Sequence, residues 1–270
     1  MVGIVSEVQR HLLPGQHRYL LALSGGLDSV VLLHVLRTLK MNGGVTELRA
    51  MYVDHGLQTD SATWSQHCQR VCAQLEVPYL TQRVTVQSDS KGVEAAAREA
   101  RYAVLAQVCE PDETLVTAHH RDDQVETLIL NLMRGSGVRG LGGISFKRRV
   151  HGKMLLRPML TVARDSIRGY AEKHQLNWIE DPSNQDTLYN RNFVRHEVMP
   201  LLWSRWPSVD SSLAKTASHC GDADELLSTL AQLDLERANQ SNEWNNQQFC
   251  TTLGCRGRLF LKPIETCHRD

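Results

Sequence analysis

Nowhere in the 270 residues do two cysteines stand as Cys-x-x-Cys, and the total of seven is odd. A zinc ribbon, a thioredoxin-like pair and a cysteine-held iron–sulfur cluster therefore lack their signatures. Cys68 and Cys72 lie four apart on an expected helix, where they either share a metal or pack as small apolar groups. Free thiols suit a reducing compartment. No apolar run approaches the roughly 20 residues that cross a bilayer. The opening MVGIVSEVQRHLLPG carries Glu7 and Arg10 inside its apolar pattern and reads as an amphipathic helix, not a signal peptide. Cytoplasm is the expected location, with no membrane partner. Net charge is also missing, since 30 basic residues balance 30 acidic ones. That removes a whole-molecule field for polyanions, so any nucleic-acid contact must rest on local patches. No G-x-x-x-x-G-K-[ST] occurs, which excludes a Walker-type phosphate loop. Nor does any segment recur at a solenoid period.

What is present is an ordinary globular composition, 41% hydrophobic and 22% charged. The length holds one substantial α/β domain and a smaller appendage. Short apolar runs at 19–23, 48–53, 79–86, 114–118 and 154–156 read as strands. Helical patterns at 30–39, 61–75, 92–108 and 122–133 follow the first four, and Thr161 is the expected N-cap of a fifth helix ending near His174. This alternation predicts a doubly wound, mostly parallel five-stranded sheet with helices on both faces. Past Trp178 the rhythm stops. Residues 181–184 read as a turn-rich linker, 190–206 as a helix interrupted by Pro200, and 213–238 as a long helix kinked near Cys220 and Gly221. Residues 240–248 are polar and loop-like, and 258–261 begin a last apolar element. The expected division is a nucleotide-binding domain over 1–208, then a linker helix and the start of a smaller, incomplete C-terminal domain over 209–270.

In parallel sheets ligands bind beyond the carboxyl ends of the strands. After the first strand stand Ser24, Gly25, Gly26, Leu27, Asp28 and Ser29. Glycines admit an anion close to the backbone, and the following helix points unpaired N–H groups and a favourable dipole at it. Asp28 cannot hold phosphate directly, but a carboxylate there suits a Mg²⁺ that bridges phosphate oxygens. The plainer alternative is a turn capped by Asp28 or Ser29. After the fourth strand, Asp122, Asp123 and Glu126 open a helix. They either complement its dipole or converge to hold a cation or accept a proton.

The hexapeptide at 24–29 resembles the signature of the PP-loop, or N-type, ATP pyrophosphatases. Several further segments resemble one branch, the tRNA-isoleucine lysidine synthetases. They are Val53-Asp54-His55-Gly56-Leu57, Glu94-x-x-x-Arg98-x-x-Arg101-Tyr102, the stretch Thr117-Ala118-His119-His120-Arg121-Asp122-Asp123-Gln124-Val125-Glu126-Thr127, the turn Arg134-Gly135-Ser136-Gly137, and Trp178-x-Glu180-Asp181-x-Ser183-Asn184 with Arg191-Asn192 and Arg195. The likeness runs from about Tyr19 to Trp206. It implies cleavage of ATP between its α- and β-phosphates and a two-step ligation. The wobble cytidine of an isoleucine tRNA with anticodon CAU is adenylated, and free lysine then displaces AMP to give lysidine.

By this resemblance residues 24–29 hold the ATP phosphates, Val53 and His55 the adenine, and Asp28 the Mg²⁺. Arg98 neutralises developing charge, and Asp122, Asp123 and Glu126 serve lysine, the last two catalytically. Arg101, Arg134, Arg191 and Arg195 meet tRNA. Thiolation of tRNA at the same carbon is a rival that the missing Cys-x-x-Cys disfavours. A non-catalytic nucleotide- or RNA-binding module is another, which would need neither Asp28 nor the acids. The oligomeric state is left open, with a homodimer among the options. Relatives often continue into a C-terminal tRNA-recognition domain, which this chain does not match.

Overall fold

The computed structural model describes residues 3–54, 61–84 and 93–240. Helix α1 (Ile4–Arg10) leads into β1 (Arg18–Ala22), α2 (Leu27–Met41), β2 (Glu47–Asp54) and α3 (Ser61–Gln74). Then come β3 (Tyr79–Arg83), α4 (Val93–Val108), β4 (Thr114–Val116), α5 (Arg121–Met133) and the short α6 (Val138–Leu141). A hairpin of β5 (Lys147–Val150) and β6 (Lys153–Leu156) precedes α7 (Arg164–Lys173). The strands form one sheet in the order β3-β2-β1-β4-β6-β5, parallel except for β5.

Alternation along β1 decides which helix packs where. Tyr19 and Leu21 face a core completed by α1, α2, α3 and α7, whereas Leu20 faces α4 through Tyr102 and Leu105. Helix α2 lies deepest, with Val30, Val31, Leu32, Leu33, Val35 and Leu36 all buried, because it is sandwiched between the sheet and the outer helices. Cys68 and Cys72 are fully buried in that core, and burial pushes both thiols up to about 12. They are packing groups.

The sheet has six strands where the apolar runs announced five. The added strand, β5, carries Lys147, Arg148 and Arg149 and lies at the sheet edge, where no apolar run is required. Its hairpin turns through His151 and Gly152, with φ of 46° and 80°, the left-handed pair a two-residue hairpin needs. Helix α7 begins at Arg164, and Thr161, the expected cap, instead donates its hydroxyl to Glu7 Oε1 at 2.8 Å.

Beyond α7 the chain wraps back across α5. Asp181 caps a 3₁₀ turn (Pro182–Gln185) by accepting from Ser183 N at 2.9 Å. Next, α8 (Asn190–Phe193) runs through a π-helical turn (Val194–Val198) into α9 (Met199–Arg205). Pro200 lacks an N–H, and the widened π turn accommodates it without breaking the helix. Helix α10 (Val209–Gln240) is unbroken through Cys220 and Gly221, where a break or a kink was expected. The packing demand falls on Gly142, where a Cβ would stand 3.1 Å from Gly221 Cα, so glycine at 142 lets the loop after α6 close onto the backbone of α10; a Cβ at Gly221 itself would meet open space. Val209, Leu213 and Ala214 of α10 pack against Val125 and Ile129 of α5. Of the loop expected at 240–248, Gln240 instead ends α10, and the rest of it and the apolar element at 258–261 lie outside the described residues.

Candidate active site

The segment after β1 turns sharply. Gly25 has φ of +84°, and a Cβ there would come within 3.0 Å of Cys68 Sγ, so glycine is needed for both reasons. Ile179 N donates to Gly25 O at 2.9 Å and pins the loop from above. Ser29 is buried and knits the turn together: its Oγ donates to Gly26 O at 3.0 Å and accepts from Ser24 N at 3.2 Å. Gly26 is the N-cap of α2, so the helix's first N–H groups open onto the same spot. Val53 is buried at the carboxyl end of β2, and His55 lies outside the described residues.

One imidazole joins this loop to the segment after β4. His120 is 1% exposed and caps α5. Its Nε2 lies 3.7 Å from Asp28 Oδ2 and 3.5 Å from Asp123 Oδ2, while Nδ1 lies 3.8 Å from Asp122 Oδ1. Burial opposes its protonation, but Asp123, Asp122 and Asp28 outweigh burial and push it up to about 8. Asp123 Oδ2 accepts from His120 N at 2.9 Å, a cap that fixes its rotamer. Burial alone would raise Asp123, yet His120 and Arg191 hold it well below the usual carboxylate range. Asp122 is also lowered, against burial, by His120 and by the Arg164 N–H that it accepts at 3.2 Å. No role was expected of His120; its place at a helix start, two residues before the Asp122–Asp123 pair, is the signal that marks it.

Glu126, one turn further along α5, is 2% exposed. Two arginines reach it: Arg191 Nε donates to Oε2 at 2.6 Å, and Arg195 Nε to Oε1 at 2.7 Å. Arg191 Nη2 also bonds Asp123 Oδ1 at 2.8 Å. Both arginines, expected at RNA phosphate, are thus turned inward onto the acids. Buried Asn192 supports them by donating to Ser183 O and Asp186 O, both at 2.9 Å, tying the 181–186 turn beneath the helix. Arg134 is placed elsewhere, as the C-cap of α5, about 16 Å along the axis from Asp123.

Asp28 differs from its neighbours. Its Oδ1 is buried without a hydrogen-bond partner, and burial raises its pKa despite His120. A carboxylate with one buried oxygen left unpartnered, at the start of a helix, fits a divalent cation. Among the described residues no three His, Cys, Asp or Glu side chains gather as a metal-binding group, so Mg²⁺ here would take Asp28 plus phosphate oxygens.

Arg98 and Arg101 lie apart from these acids, on α4 beside Tyr102. His119 stands between the two groups. Its Nδ1 meets Thr117 Oγ1 at 2.9 Å, and burial, with help from Arg157, Arg98 and Arg101, brings it down to about 3 against the pull of Asp123. It is a neutral imidazole.

A family model described as a PP-loop domain matches residues 4–202. The tRNA(Ile)-lysidine synthase of Pseudomonas fluorescens (strain Pf0-1) is 46% identical over 245 residues, covering 90% of this chain and 55% of that protein. That of Proteus mirabilis (strain HI4320) is 42% identical over 272 residues, covering 99% and 61%. The chain spans about half the length of the curated relatives it matches. Among solved structures, the U34-tRNA thiolase NcsA from Methanococcus maripaludis with its 4Fe-4S cluster superposes with a TM-score of 0.66 at 16% identity, over 80% of this chain and 77% of that one. At that identity the likeness speaks for the fold alone.

Proposed function

The chain belongs to the PP-loop family, and from that premise we propose that it is an ATP-dependent ligase joining lysine to the wobble cytidine of an isoleucine tRNA with anticodon CAU. The observation that carries this reading is the meeting, through His120, of Asp28 from the phosphate loop and Asp123 from α5. Nucleotide and amine chemistry would thereby share one pocket. Relatives named tRNA(Ile)-lysidine synthase at 41–46% identity support the substrate class. No helix among the described residues is long and apolar enough to cross a membrane, which accords with work on tRNA in the cytoplasm.

In this reading residues 24–29 hold the ATP phosphates, and Val53 with His55 borders the adenine. Asp28 would hold a Mg²⁺, which when bound would supply charge neutralisation on the phosphates. The cytosine 2-oxygen attacks the α-phosphorus, the α–β bridging bond breaks, and pyrophosphate leaves. The side-chain amine of lysine then attacks carbon 2, and AMP departs with the oxygen. The lysine ammonium must first lose a proton, and Asp122, Asp123 and Glu126 are the carboxylates at hand. Of these, Asp122 would receive the amine, while Asp123 and Glu126 are both engaged by Arg191 and Arg195. Those two arginines would then set the charge of the pocket instead of binding RNA. Arg101 and Arg134 would meet the tRNA backbone. The base must leave its stack to reach the pocket.

The test is pyrophosphate release from ATP by the full chain with lysine and either the CAU isoleucine tRNA or an unrelated tRNA. Release with the first alone, accompanied by lysine in the RNA, supports the proposal. Release without incorporation of lysine would redirect it to another acceptor chemistry.

A further inference from the structure

Four arginines converge on one phenol ring. Arg98, Arg101 and Tyr102 share a face of α4, and the guanidinium carbons of Arg98 and Arg101 lie 5.6 and 5.4 Å from the ring centre. Arg148, from edge strand β5, comes to 5.4 Å. Arg157, directly after β6, is 1% exposed and donates through Nη1 to Ser145 O. None of the four makes an ion pair with a carboxylate among the described residues. Three buried polar atoms here have no hydrogen-bond partner: Arg101 Nε, Tyr102 Oη and Arg157 Nε.

Such an arrangement is costly as it stands. Cation–π contact with Tyr102 holds the guanidinium groups but does not neutralise them, being worth about 0.5–2 kcal/mol each. Burial and mutual repulsion act against the charge. Burial, followed by Arg148 and Arg98, brings Arg157 down to about 10 although Tyr102 works the other way. Arg101 is lowered by burial and Arg98. Buried charge is normally paired, so this concentration of donors calls for an anion that the described residues do not supply.

We propose that the Arg98, Arg101, Arg148 and Arg157 cluster around Tyr102 is a phosphodiester-binding site for the substrate RNA, and this rests on the function proposed above. Two features favour RNA over the nucleotide phosphates. The phosphate loop follows β1, whereas Arg157 follows β6, two strands along, and Arg148 lies on β5, three strands along. At about 4.8 Å per strand these are roughly 10 and 14 Å away across the sheet. Second, the acceptor base is joined to a phosphate on each side, so a base that enters the acid pocket brings anions with it. His119, which feels both Asp123 and Arg157, stands between the pocket and the cluster. Arg98 and Arg148 form the exposed rim through which a strand would pass, and Arg101 and Arg157 the deeper wall.

The edge strand provides its own control. Arg148 and Arg149 are adjacent and both exposed, but they point to opposite faces, and Arg149 bonds Gly152 O instead of joining the cluster. Binding of a CAU anticodon stem-loop to the full chain would be titrated over a salt series for wild type, Arg148→Gln and Arg149→Gln. Inorganic pyrophosphate and ATP would be titrated in parallel. We expect Arg148→Gln to weaken RNA binding about fivefold and to reduce the salt slope by about 1. Arg149→Gln should stay within about twofold of wild type, and ATP and pyrophosphate affinities should hold in both. Equal RNA affinities for the two variants, or a loss confined to ATP or pyrophosphate, would overturn the site. Because RNA binding is read directly, wild type that binds RNA through Arg148 but transfers no lysine would overturn the proposed function and leave the cluster standing.

Discussion

At the start of α5 carboxylates and cations alternate; around Tyr102 guanidinium groups face one another. Both regions bury charge at the carboxyl edge of the same sheet, yet they solve its cost differently. In the first, Asp123 and Glu126 receive Arg191, Arg195 and His120, so the fold supplies the counter-charges itself. In the second, the described structure supplies an aromatic face and one carbonyl. A balanced network serves position and rigidity, whereas an unbalanced one is a site waiting for its ligand. Asp28 is the exception that links them: within the balanced region it alone keeps a buried oxygen unpartnered.

The largest expected effect follows from that exception. Asp28→Ala should lower tRNA-dependent pyrophosphate release by about 10³-fold, since a metal's contribution is several kcal/mol. The unfolding midpoint should be unchanged or higher, because a desolvated carboxylate is lost. A stability loss with retained activity would place Asp28 in the balanced network after all. Next comes Glu126→Gln, which leaves two inward-turned arginines short of their acceptor charge. Urea unfolding should show a loss of about 3 kcal/mol. A loss under about 1 kcal/mol would mean that Arg191 and Arg195 are not held there in solution.

The smallest effect concerns His119, between the regions. Its folded pKa is depressed to about 3 from an ordinary 6.5. Its contribution is therefore whole above pH 6.5 and is lost as pH falls, because the unfolded chain takes up the proton first. Wild type should lose about 2 kcal/mol between pH 6.5 and 5 that His119→Gln does not lose. Identical pH profiles would show that His119 takes up its proton as readily in the fold as in the unfolded chain, and that the cluster's field is weaker than its geometry implies.

Much of the nucleotide side was legible in the sequence. Residues 24–29 announced a tight turn between a strand and a helix start, and Gly25 and the N-cap Gly26 form that turn. Asp122, Asp123 and Glu126 announced an acid group because a helix start puts them on one side. Their partners were harder to read. Arg191 and Arg195 share a face, but periodicity does not say whether that face looks outward or onto α5. Arg157 follows a four-residue strand with no motif around it. Arg148 sits on a strand whose charged residues hide it from any apolar-run criterion. Gly221 looked like a break because glycine weakens an isolated helix, whereas here α10 runs on through it. What the sequence concealed were contacts between distant segments, which no local pattern encodes.

The most direct measurement is a single-turnover experiment with the full chain in excess over CAU isoleucine tRNA and ATP. Lysine is withheld at first and then added. The proposed function predicts that adenylated RNA accumulates with release of one pyrophosphate per RNA, and that lysine then consumes it with release of AMP. Pyrophosphate release indifferent to RNA, or adenylated RNA that lysine does not discharge, would contradict it.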